Sequence, residues 1–78
     1  MALTNYQIIM EIRDNIIAYL EGEKKINELA LEAYKDSSIT ENDSEIRRLR
    51  EREAIKLRHS ITELSRHIEV IKRMYPNQ

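Results

Sequence analysis

The stretch TNYQIIMEIRDNIIAYLEGEKKINELALEAYKD, residues 4–36, decides the fold, because it carries two apolar stripes along what its spacing predicts to be a single helix. In the first stripe Ile9, Ile12, Ile16, Tyr19, Ile26, Ala30 and Ala33 recur at alternating steps of three and four, broken only at Glu23. That is a heptad seam on one helix face. The second stripe, Met10, Ile17, Leu20, Leu31 and Tyr34, lies one residue on, which is about 100° further round the helix. One partner helix cannot easily cover both. The expectation is therefore that the first stripe packs on the second half of the chain, and that Met10, Ile17, Leu20, Leu31 and Tyr34 form an interface with another molecule.

Working outward, Thr4 or Asn5 can cap this helix, a side-chain oxygen accepting from backbone N–H groups that lack an intrahelical partner. The polar run Glu21-Gly22-Glu23-Lys24-Lys25 interrupts both stripes, and a kink or local break there is the alternative reading. The apolar residues after it resume in the phase of those before it, which favours one continuous helix. From Asp36 to Asp43 the periodicity stops in a run of Ser, Thr, Asn and Asp, whose side chains compete for backbone hydrogen bonds. This is the expected turn. Ser38 with Glu41, or Thr40 with Asp43, fits a capping box for a second helix.

In that second helix Ala54, Leu57, Ile61, Leu64, Ile68, Ile71 and Tyr75 form an unbroken heptad pattern, joined by Ile46 and Leu49 through a 3-4-4 step that reads as a stutter. Pro76 ends it. The domain reading is one helical hairpin over residues 1–78, with helix 1 at about 4–36, a turn at about 37–43 and helix 2 at about 44–75. Equal helix lengths and a short connection favour antiparallel packing, and Glu23, Glu28 and Glu32 are expected to fall near Lys56, Arg52 and Arg48. The fold class is all-α: a long, coiled-coil-like antiparallel two-helix hairpin that dimerises into a four-helix bundle.

Composition bounds the rest. The chain has no Cys, Trp or Phe, one Gly and one Pro, and 35% charged residues, the profile of long helices. A chain of 78 residues without disulfides buries little surface, so assembly is the expected source of added stability. No run of about 18 apolar residues and no signal-type start is present, so the expected location is the cytoplasm, with no membrane partner. The net charge of −1 hides an asymmetry: residues 1–45 hold four Lys/Arg and ten Asp/Glu, residues 46–78 nine and four. Two oppositely charged helices lying side by side is the simplest account.

No Gly-rich phosphate loop, cysteine nucleophile or hard-metal carboxylate cluster is present, and a two-helix chain offers little concavity, so no catalytic residue and no cofactor is expected. His59, Glu63 and His67, spaced by four, are the nearest approach to a metal motif. One straight helix spreads positions eight apart over about 12 Å, too far for a single ion, and the expected metal set is empty. Arg48, Arg52, Lys56 and His59 align as a basic stripe that could contact nucleic acid or a smaller anion. Glu45, Glu51 and Glu53 interrupt it, however, and no aromatic is at hand for base stacking. The functional expectation is a small non-catalytic protein-protein interaction module, an adaptor, assembly factor or inhibitor, acting as a homo-oligomer, dimer favoured, on a protein partner. A nucleic-acid-binding regulator is the alternative, and sequestration of a nucleotide-like anion between protomers a second one.

Overall fold

The computed structural model describes residues 3–38 and 43–77, and the side chains of 3–35 and 43–77. Two helices, α1 (Asn5–Ser38) and α2 (Ser44–Met74), pack against each other, and no strand is present among the described residues. The molecule is a rod of 62 × 21 × 15 Å. No helix is long and apolar enough to cross a membrane among the described residues.

Local chemistry sets the helix ends. Thr4 and Gln7 form a reciprocal capping box, with the Gln7 N–H donating to Thr4 Oγ1 at 3.1 Å and the Thr4 N–H donating to Gln7 Oε1 at 2.9 Å. At α2 the cap is Asp43 itself, whose Oδ1 accepts from the backbone N–H groups of Glu45 (2.9 Å) and Ile46 (3.3 Å). Asp43 thus starts the helix, where the sequence suggested it as the last residue of a box begun by Thr40; Ser38, the other suggested start, is instead the last residue of α1, and Glu41 lies outside the described residues. At the other end the Tyr75 N–H donates to Ile71 O before Pro76, and Lys72 and Arg73 stand near the negative pole.

Helix α1 runs unbroken through Gly22, around which a built Cβ would meet nothing within 4 Å. The glycine therefore supplies no close approach within the chain and only weakens the helix. Gly22→Ala is expected to raise stability by about 1 kcal/mol, read as a higher denaturation midpoint in urea. An unchanged or lower midpoint would mean that the bare backbone is needed.

Which stripe of α1 meets α2 is the main departure from expectation. Ile17 is buried (8% exposed), and Met10, Arg13, Leu20, Lys24, Asn27, Leu31 and Tyr34, at heptad spacing from it, are all half-buried. The residues expected to face outward thus form the seam inside the hairpin. Most of the first stripe, expected inside, lies open, with Ile12 at 54%, Tyr19 at 66% and Ile26 at 60% exposure, while Glu23 and Ala30 are half-buried. Arg13 shows what makes a polar residue acceptable in the seam. Its side chain is only 10% exposed, its stem covers apolar surface, and its Nε donates to Tyr75 O at 2.6 Å, satisfying a carbonyl that the end of α2 leaves without a helical partner.

On α2 the buried Ala54 and Ile68 (5% exposed) stand in the predicted seam with half-buried Leu57, Ile61, Leu64 and Ile71. The heptad keeps its phase back to half-buried Arg50 instead of stuttering to Ile46 and Leu49, which are exposed.

Candidate interaction surface

The one-residue offset between seam and open stripe has a definite geometric result. In antiparallel helices, positions preceding the seam on each helix flank it on the same side. Ile9, Ile12 and Ile16 of α1 accordingly line one groove of about 260 Å³ with Arg13, Ile71 and Tyr75. Toward the other end, Ala33 shares a groove of about 380 Å³ with Tyr34, Ile46, Leu49, Arg50 and Glu53. One broad face of the rod therefore carries apolar side chains at both ends and along α1 between them. Tyr34 and Arg50 also line a groove with Lys35, Glu51 and Arg58 on the opposite side, as seam residues should. That opposite side is mixed: it carries Lys35, Glu51 and Arg58 with exposed Ile55 toward one end, and Glu11 and Asp14 with exposed Leu3 and Tyr6 toward the other.

Nine large apolar side chains stand exposed on or beside this face: Ile9, Ile12, Ile16, Tyr19, Ile26, Ile46, Leu49, Met74 and Tyr75. Among the described residues only Ile17, Ala54 and Ile68 are buried. The hairpin thus leaves its more apolar stripe to solvent and encloses the one that includes Arg13, Lys24 and Asn27. For a helix pair standing alone this is the costlier choice, since burying an Ile side chain is worth about 1.5–3 kcal/mol.

The expected charge pairing between the helices takes a different form. Lys56 Nζ pairs with Glu53 Oε1, three residues back on its own helix, at 3.2 Å, where Glu23 was the expected partner. Arg66 pairs with Glu63 at 3.1 Å and Arg13 with Asp14 at 2.6 Å, both again within one helix. Arg48, Arg52, Lys56 and His59 are all exposed; Arg48, Arg52 and His59 lie on the side of α2 turned away from the seam, and Lys56 on the flank that continues the open face. Glu63 also lies 3.8 Å from His67 Nε2, while His59 stands apart. No group of three or more His, Cys, Asp or Glu residues close enough to hold a metal ion occurs among the described residues.

Both three-and-four frames were read in the sequence; the signal missed was that polar residues can fill the gaps in the second. Arg13, Lys24 and Asn27 complete the second stripe into an unbroken heptad, and Arg50 does the same for α2. The long stems of Arg13, Lys24 and Arg50 make them acceptable at seam positions, and Asn27 is small enough to be half-buried there. No protein-family model matches the chain, and no curated protein and no solved structure matches it.

Proposed function

We propose that the protein is a non-catalytic protein-protein interaction module that works as a homo-oligomeric helical bundle, an adaptor, assembly factor or inhibitor of a larger protein. The observation that carries this reading is the open stripe Ile9, Ile12, Ile16, Tyr19 and Ile26 beside an occupied, less apolar seam. Contiguous exposed apolar surface of this extent marks a contact site on a soluble protein. Two hairpins joined through it form a four-helix bundle, and the opposite faces, with charged residues beside Leu3, Tyr6 and Ile55, are then left on the outside for a partner.

A second reading rests on the basic stripe. Because Arg48, Arg52 and His59 point away from α1, they are available to phosphate groups of nucleic acid or of a smaller anion. One experiment separates the two: solution mass by light scattering at several concentrations, with and without short duplex DNA at low salt. A dimer or larger assembly that ignores DNA is the expected result. A 9.3 kDa monomer that gains mass only with DNA, and loses it as salt rises, would overturn the first reading in favour of the second.

A further inference from the structure

Resting on the reading of the open stripe as a self-association surface, we infer that its occupant is the same stripe of a second copy, running antiparallel, with the two-fold axis at the level of Glu21. The spacing carries the first part of the argument. Positions 9, 12, 16, 19, 23, 26, 30 and 33 follow steps of 3-4-3-4-3-4-3, a series that reads the same in both directions about residue 21. An antiparallel copy therefore meets the stripe in full register, each layer joining two positions whose numbers add to 42. The midpoint of α1, Asn5–Ser38, falls beside the same residue, so the two rods overlap along their whole length.

Side-chain size carries the second part. The stripe is bulky at its start and small at its end, and antiparallel pairing sets Ile9 against the partner's Ala33, Ile12 against the partner's Ala30 and Ile16 against the partner's Ile26. Bulky then meets small in the outer layers, so the two ends of the pair have the same spacing and can both close-pack. Parallel pairing would stack Ile on Ile at one end and Ala on Ala at the other, forcing the helices to splay.

Charge carries the third part. Glu23 is the only charged residue in the stripe. In the antiparallel layer it meets the partner's Tyr19, whose hydroxyl can donate to the carboxylate, and Tyr19 is open in the single chain. In the parallel layer two Glu23 carboxylates would face each other.

The same face of α2 is a poor substitute partner for the stripe. Between Leu49 and Val70 it offers Glu53, Lys56, Ser60, Glu63 and His67, five polar positions in succession. Size is sufficient as well. A face of 34 residues by 21 Å projects to roughly 1,000 Å² per partner, against the roughly 800 Å² of a standard stable interface.

The chain lacks cysteine, so introduced thiols report cleanly. The test mixes Ile16→Cys and Ile26→Cys proteins, treats them with a short bis-maleimide and compares the products with each variant alone, alongside light scattering of the unmodified protein. Efficient linking in the mixture, with little in either variant alone, is the expected result. Self-linking of Ile16→Cys would overturn the antiparallel orientation. So would a dimeric mass with no linking in any sample, and both leave the oligomeric reading standing; a monomeric mass at every concentration would remove that reading too. A compensating pair checks one layer directly. Ile12→Ala should weaken association by about tenfold or more, and adding Ala30→Ile to the same chain should recover most of it, because the two positions meet across the axis. Failure to recover would overturn the register.

Discussion

Ile68→Asp is expected to abolish the hairpin. Ile68 is the most enclosed side chain among the described residues, at 5% exposure, in the half of the seam where Ile17 is buried as well. An aspartate there either places an unpaired carboxylate between two helices or separates them, and each course forfeits the apolar contact. The expected cost exceeds about 4 kcal/mol, whereas a chain of this length has a total stability of about 4–12 kcal/mol. Helical circular dichroism at 222 nm should fall to the level of an unfolded chain at 25 °C. Ile68→Val keeps shape and polarity and should cost only about 0.5–1.5 kcal/mol, with the same helicity and a lower melting point. Full helicity in the Asp variant would mean that the two helices do not depend on this seam.

The second large effect is expected from Ile12→Glu combined with Ile16→Glu. In the single chain both side chains are already open, so the change removes little that the hairpin itself relies on. What it removes is the apolar face proposed for assembly, and it does so twice per dimer. The variant should behave as a 9.3 kDa monomer, retain helicity at low temperature and lose the dependence of melting temperature on concentration. If the unmodified protein is assayed at about 100 times its dissociation constant, the lost linkage of about 2.7 kcal/mol corresponds to a drop of roughly 10–20 °C. An unchanged mass and melting curve would show that this face takes no part in association. The contrast between neighbours is informative too, since Ile16 and Ile17 differ by one position and report on two different surfaces.

That one-position difference also marks where the sequence was legible and where it was not. The helices could be read because apolar residues recur at three and four through both halves, and because residues 36–43 combine lost periodicity with side chains that cap and turn. The helix ends followed from local chemistry, although the role of Asp43 depended on which N–H groups it reaches, and spacing alone admits more than one answer. Which α1 stripe packs inside could not be settled by counting apolar residues. A helix with two usable faces can offer either to α2, and the outcome depends on whether Arg13 and Lys24 can bury their stems, and Asn27 its short amide, while keeping their polar ends satisfied. The reach of Arg13 to the Tyr75 carbonyl spans 62 positions of sequence, a relation that no local pattern discloses. The basic stripe was legible as a stripe. Its direction was not, because the outward turn of Arg48 and Arg52 follows from the phase that α2 keeps through Arg50.

The uneven make-up of the seam bears on how the molecule opens over time. Toward the chain ends it holds Met10, Ile17, Leu20, Leu64, Ile68 and Ile71, and Arg13 ties α1 to the last carbonyl of α2. Past Leu20 the α1 side turns to Lys24 and Asn27 before Leu31 and Tyr34, and the α2 side passes from Leu57 and the small Ala54 to Arg50. Amide exchange with heavy water should therefore be fastest in the half near residues 27–34 and 46–53, and slowest near 12–20 and 61–71. In most small domains the two termini are the first parts to loosen. Here the described helix ends at Asn5 and Met74 belong to the half expected to let go last, so opening should begin at the opposite end of the rod.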